Sequence, residues 1–147
     1  MLSSRAKYAL RAAVILAEDV DCEGWTSSAE IAARGVIPRK FLEAILVQLR
    51  ERGFVESRRG PAGGHRLTMA PEEISLADVI RTIDGPLALT PCASRTEYAA
   101  CKDCVDVKTC ALRHVMQRVR DAAAEVLEGC SVHDLLKLGH RRDLIAT

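Results

Sequence analysis

The sequence predicts a mainly α-helical chain with one small β-hairpin, and three observations predict it. Apolar residues recur at helical spacing in segments spread from Tyr8 to Leu127. A Gly- and Arg-rich stretch, Ser57–Arg66, carries the turn residues of a hairpin. A loop-like segment, Pro91 to Cys110, holds four of the six cysteines and separates the last and longest helix from the rest. With 147 residues, nearly half of them apolar, the chain is long enough to bury a core without covalent staples.

The first helix is the Ala-rich run "KYALRAAVILA", with Tyr8, Leu10, Ala12, Ala13, Ile15 and Leu16 apolar. Ser27 and Glu30 form a capping box that starts a short second helix near Ser28. Gly35 is suited to end it as a left-handed cap. Pro38 fits the first turn of a third helix, where its missing N–H costs nothing. Phe41, Leu42, Ile45, Leu46 and Leu49 are the buried stripe of that helix, and Arg39, Lys40 and Glu43 lie on its other side near the leading end. Phe54 and Val55 open the hairpin, Gly60, Pro61, Gly63 and Gly64 turn it, and Leu67 lies on the returning arm. Ser75 and Asp78 cap a fourth helix with the apolar face Leu76, Val79, Ile80 and Ile83, stopped at Gly85–Pro86. After the cysteine segment, Leu112, Val115, Met116, Val119, Ala122, Ala123, Val126 and Leu127 make about five helical turns that end at Gly129.

Two helices joined by a tight turn, followed by a basic hairpin, form a winged helix-turn-helix pattern. Its geometry places the leading turn of the third helix in a DNA major groove, with the hairpin tip near phosphates or a narrow minor groove. Charge distribution agrees. Net charge is +1, but residues 1–70 carry 11 Lys and Arg against 8 Asp and Glu, and Ser57–Arg66 has three arginines and no acid. The candidate DNA-binding residues are Arg39, Lys40, Glu43, Arg58, Arg59, Gly60, Gly63, Gly64 and His65. No GxxxxGK[ST] loop and no nucleophile–base constellation occurs, so neither nucleotide binding nor an enzyme is expected. No apolar run approaches the roughly 20 residues of a membrane span, and "MLSSRAKYAL" does not read as a signal peptide, so a cytoplasmic protein is expected.

The long helix extends past the small domain. Its stripe, with Leu112, Val115, Met116, Val119, Ala123 and Val126, is the candidate seam of a homodimer, because such readers usually engage the two half-sites of a palindromic operator. The chain thus divides into a winged helix-turn-helix domain (1–86), a cysteine-rich loop (87–110), and a dimerisation helix with a C-terminal segment (111–147).

Cys92, Cys101, Cys104 and Cys110 follow the spacing C-x₈-C-x₂-C-x₅-C. Four thiolates suit structural zinc or an iron–sulfur cluster, and a thiol or disulfide switch is a third reading. A small cluster-carrying redox protein without DNA binding is the rival from another class. Cys22 and Cys130 stand alone and receive no role, and His133 and His140 lie outside the loop.

"KYALRA", the reader helix with "FLE", "SRRGPAGGHRL", "ISLADVIRTIDGP", the cysteine loop and "SVHDLLKL" occur in this order over about residues 1–138. The series resembles the iron–sulfur and redox-responsive winged-helix repressors that include IscR, NsrR and RirA (the Rrf-two family). The resemblance implies a dimer linked by long crossed helices. It also implies an iron–sulfur cluster, [2Fe–2S] or [4Fe–4S], that senses iron, redox state or nitric oxide. The family's cysteine trio maps onto Cys92, Cys104 and Cys110. The fourth ligand departs from the family. Arg113 stands where IscR-like members have a histidine, and Lys7 where NsrR-like members have an aspartate. Cys101 is therefore the candidate fourth ligand. The other readings leave that position open, or filled by His114 or a small molecule.

Overall fold

The structure is a computed structural model that describes residues 2–143. Three helices come first: α1 (Ser4–Glu18), α2 (Ser28–Gly35) and α3 (Arg39–Glu51). A hairpin of β1 (Val55–Arg58) and β2 (Gly64–Leu67) follows, then α4 (Leu76–Asp84), α5 (Ala111–Glu128) and α6 (Val132–Asp143). The architecture is mainly helical with a small two-stranded antiparallel wing, as the periodicity predicts. No helix among the described residues is long and apolar enough to cross a membrane.

The core forms around α1. Its Ala6, Ala9, Ala12, Ala13 and Ala17 are buried with Ile15 and Leu16, and their small side chains let α2, α3, α4 and α6 approach closely. From α3, Leu42, Ile45, Leu46 and Leu49 enter this core, and Val79 enters from α4. Each such aliphatic side chain, fully buried, contributes about 1.5–3 kcal/mol of transfer free energy. The expected caps form: Ser27 Oγ accepts the Glu30 N–H at 3.2 Å and Ser75 Oγ accepts the Asp78 N–H at 3.0 Å.

Two local expectations are corrected. The left-handed residue after α2 is Val36 (φ 51°, ψ 51°), and Gly35 stays in the helix. A Cβ on Gly35 would lie 2.7 Å from Ile37 Cδ1 and 3.1 Å from Ile15 Cδ1, so glycine is needed there for packing, and the turn falls one residue later. A left-handed β-branched residue costs on the order of 1–2 kcal/mol. Two backbone bonds offset this, Val36 N–H to Ala33 O and Ile37 N–H to Ala32 O, together with burial of Ile37. Pro38 immediately precedes the first turn of α3, where its carbonyl accepts the Phe41 and Leu42 N–H groups.

The C-terminal segment contains a helix, α6, that the apolar pattern did not single out. Ser131 Oγ accepts the Asp134 N–H at 3.1 Å and Asp134 accepts the Ser131 N–H at 2.9 Å, a reciprocal cap. Backbone bonds from Leu76 N–H to Cys130 O and from Val132 N–H to Ile74 O tie this segment to the start of α4, and Val132 is fully buried in the α1 core. Cys130 packs at the edge of that core, and Cys22 is exposed.

Candidate functional site

Two groups of candidate residues come together in the fold, one on the reader helix and wing, the other around the cysteines. Arg39, Lys40 and Glu43 are exposed on the leading turns of α3, opposite its buried stripe. The Lys40 ammonium lies 5.0 Å from the Phe41 ring centroid, and Phe41 packs at 6.0 Å from Tyr8 of α1.

The wing pairs Val55 with Leu67 through Arg58 with Gly64. Arg58, Arg59 and Gly60 are exposed at its tip, and neither guanidinium has a hydrogen bond or ion pair among the described residues. Gly63 is required by close approach, since a Cβ there would lie 2.0 Å from Arg58 O. Gly64 (φ +154°) lets the strand press against Thr26, whose carbonyl would sit 2.5 Å from an added Cβ. Thr26 exchanges both backbone bonds with His65, at 3.0 and 2.8 Å, so the hairpin is docked on the segment that enters α2.

His65 completes this docking. Its Nε2 lies 2.8 Å from Ser28 Oγ at the start of α2, and its Nδ1 lies 2.7 Å from Ser57 Oγ on β1. With both ring nitrogens engaged, His65 joins the wing to α2 within the protein. Arg66 is also held internally, paired with Glu56 and stacked 4.3 Å from the Trp25 ring centroid. Sequence reasoning missed these partners because they lie in separate segments.

The four loop cysteines line one cavity of about 340 Å³ together with Asp103, Val105, Asp106, Thr109, Leu112 and Arg113. Cys92 is buried in the single helical turn Pro91–Ala93, and Cys101 donates its S–H to Cys92 Sγ at 3.6 Å. Cys110 is the N-cap of α5, its Sγ accepting the Arg113 N–H at 3.4 Å. The Cys92 thiol is held below the ordinary cysteine value by the Thr90 hydroxyl, then by Cys101, with Arg113 adding attraction. The Cys101 thiol is pushed up, first by Cys92 and then by burial.

Among the described residues, no three His, Cys, Asp or Glu side chains already stand as a formed metal site. The donor set nevertheless fits a thiolate-bound centre in kind. Two thiolates on one tetrahedral ion at about 2.3 Å would lie roughly 3.8 Å apart, close to the Cys92–Cys101 separation. Arg113 does not serve as a ligand. Its Nε–H donates to the Cys92 carbonyl at 3.0 Å, and its guanidinium lies 5.9 Å from the Tyr98 ring centroid.

The long helix presents its seam outward. Leu112 (63% exposed), Val115, Val119 and Val126 (68%) form an apolar stripe at coiled-coil-like spacing, while Met116 and Ala123 are half-buried. None of the residues of α5 is buried.

Comparison with known proteins gives one consistent result. The family Rrf2, described as iron-dependent transcriptional regulator, matches residues 2–138. A putative HTH-type transcriptional regulator, rrf2-like, of Rhodobacter capsulatus is 38% identical over 95% of each chain. The solved structure of CymR (YrzC), titled the global cysteine regulator of B. subtilis, superposes with a TM-score of 0.74 at 30% identity, covering 94% of this chain and 97% of that one. IscR of T. potens superposes at 0.71 with 27% identity, covering 95% and 88%. The family and the similar proteins named as regulators are not enzymes.

One prediction follows from the wing joint. Burial, then the charge of Arg50, holds the His65 pKa below its ordinary 6.5. The folded state therefore binds fewer protons than the unfolded state at mildly acid pH. The stability linked to His65 is fully present above the unfolded value and is lost as pH falls through it toward the folded value. Urea unfolding at about pH 7.5 and about 5.5 should show wild type losing more stability on acidification than His65→Gln. Equal losses would mean that His65 is not held neutral.

Proposed function

The chain belongs to the Rrf2 family of transcriptional regulators, and from that premise we propose that it binds palindromic operator DNA as a homodimer whose affinity follows the state of the cysteine loop. The observation that carries the reading is the cavity that gathers all four thiols directly at the N-terminus of the helix bearing the exposed apolar stripe. Arg39, Lys40 and Glu43 read base edges in the major groove, while Arg58 and Arg59 contact phosphates or the minor groove. Gly60 leaves the tip free to approach the duplex, Gly63 and Gly64 shape the wing by packing on the protein's own backbone, and His65 fixes the wing's angle.

The cofactor proposed for the loop is an iron–sulfur cluster, held by Cys92, Cys104 and Cys110 with Cys101 as fourth ligand. The iron-dependent description of the family and the all-sulfur donor set support it. When bound, such a cluster supplies a charge and an occupancy that respond to oxidation, nitric oxide or iron shortage. The chain's own part is mechanical. Cys92 sits on the turn Pro91–Ala93 and Cys110 caps α5, so drawing these thiols together fixes the turn against the helix. Two half-sites lie about 34 Å apart, so a small change in the tilt of paired helices misaligns one reader. A coupling of about 1–3 kcal/mol changes operator affinity about 5- to 150-fold.

A second reading rests on the 3.6 Å approach of Cys101 to Cys92 and on the likeness to CymR. These two thiols would close to a disulfide, giving two protons and two electrons to an oxidant. Zinc in the same thiol set is the remaining alternative.

Three measurements test these assignments. Anaerobically prepared protein should absorb in the visible and contain iron and labile sulfide. Serine at Cys92, Cys101, Cys104 or Cys110 should abolish this, while Cys22→Ser and Cys130→Ser keep full iron. Stoichiometric zinc without sulfide rules out the cluster, and retention of the chromophore in Cys101→Ser rules out the four-cysteine site. Arg59→Ala should weaken operator binding across sequences and reduce the slope of log K against log salt by about 1; an unchanged slope removes Arg59 from the contact. Val119→Glu would bury an unpaired charge in the proposed seam, so sedimentation at micromolar protein should show monomer. A dimeric Val119→Glu protein would mean that this stripe is not the seam.

A further inference from the structure

Two arginines of α5 grip consecutive carbonyls of the turn that carries Cys92. Arg113 Nε–H donates to the Cys92 carbonyl at 3.0 Å, and Arg120 Nη1 donates to the Ala93 carbonyl. They stand seven residues apart, almost two full turns, and so share a face of the helix. The exposed stripe of Leu112, Val115, Val119 and Val126 is centred roughly 120° away around the helix axis, at about 100° per residue. The cysteine turn and the stripe therefore lie on separate faces of one rod, about a third of the way round from each other. The turn cannot rotate or lift from α5 without breaking both bonds.

Arg120 is an unusual way to make an ordinary loop contact. Its side chain is only 12% exposed. Nε and Nη2 both donate to Asp121 Oδ1, at 2.9 and 2.5 Å, and Asp121 also accepts from Arg95 at 2.7 Å. A desolvated guanidinium is costly unless its partners are placed for it, and its planar fork then fixes direction as well as distance. Arg120 thus holds the Ala93 carbonyl from a fixed seat, two turns beyond the cysteine cavity and outside its lining.

We infer that Arg113 and Arg120 are positioning residues that pass the state of Cys92 to α5, and so to the pairing of the two readers. This rests on the reading of the loop as the sensing site. It adds that the signal travels through two arginine–carbonyl bonds and does not depend on the thiol cap at Cys110 alone.

The test compares operator affinity in two forms of the full chain: reconstituted anaerobically with iron and sulfide, and stripped with a chelator. The duplex is one selected from a random pool against wild-type protein. Wild type should show an affinity ratio between forms in the range of about 5- to 150-fold. Arg120→Ala, with iron content and visible spectrum unchanged, should bring that ratio to within about twofold of unity, whereas Arg120→Lys, which keeps one donor, should retain most of it. A wild-type ratio in iron-loaded Arg120→Ala overturns the clamp and leaves the sensing reading intact. A ratio of unity in wild type itself overturns the sensing reading, and the clamp with it. Should Arg120→Ala fail to fold, Asp121→Ala removes the acceptor that seats Arg120 without touching the cavity, and an undiminished ratio there overturns the clamp equally.

Discussion

The fold depends on the small-residue face of α1. Five buried alanines on one fifteen-residue helix leave little side chain to fill space, so backbones approach closely and the contacts are set by shape. Helices α2, α3, α4 and α6 all pack on this rod. Insertion of extra methylenes into such a seam typically costs about 1–3 kcal/mol, because neighbouring helices must move. The reader helix inherits its position from that contact: Leu42, Ile45 and Leu49 are fixed against α1, which leaves Arg39, Lys40 and Glu43 no choice but solvent.

The same logic reaches the wing through hydrogen bonds. A two-stranded hairpin is marginal alone. Here Thr26 adds backbone pairing to β2, and His65 spans from Ser57 to Ser28, so the hairpin is anchored to the entrance of α2. Reader and wing are thereby held at one relative angle, which suits simultaneous contact with a groove and its flanking phosphates better than a free arm would. The glycines at the tip have two uses: Gly63 and Gly64 admit close backbone contacts, while Gly60 (φ 106°) makes the turn.

Much of this was legible in the sequence. Apolar periodicity located the core faces of α1, α3 and α4, and Ser27 and Ser75 marked two helix starts correctly. The capping pair Ser131–Asp134 was an equally good signal for α6, but its helix is too polar for the apolar stripe to stand out. Gly35 misled because a glycine after a helix ordinarily supplies the left-handed turn. That Ile15 and Ile37 crowd it is a tertiary fact. The grouping of the thiols was visible from spacing, whereas the arginine bonds were not. Their acceptors are backbone carbonyls 21 and 27 residues away, and carbonyls leave no trace in residue identity.

The loop and the long helix share a lack of burial. From Ser94 to Cys110 only Ser94 is buried, and apart from Arg95 to Asp121 of α5 and the bonds of Ala99 and Cys101 back to the Cys92 turn, the loop's bonds are short-range turns, such as Ser94 Oγ accepting the Glu97 N–H and Asp106 accepting the Lys108 N–H. A segment with so little burial opens at low free energy unless something else orders it. The thiols at its two ends are the groups able to do so, because Cys92 is anchored in the fold and Cys110 begins α5. Helix α5 likewise buries none of its residues, and its apolar stripe would be covered in the proposed homodimer. In the proposed reading, loading of the thiols and seating of a second copy would act on separate faces of one helix, and a change on either would alter the free energy of the other.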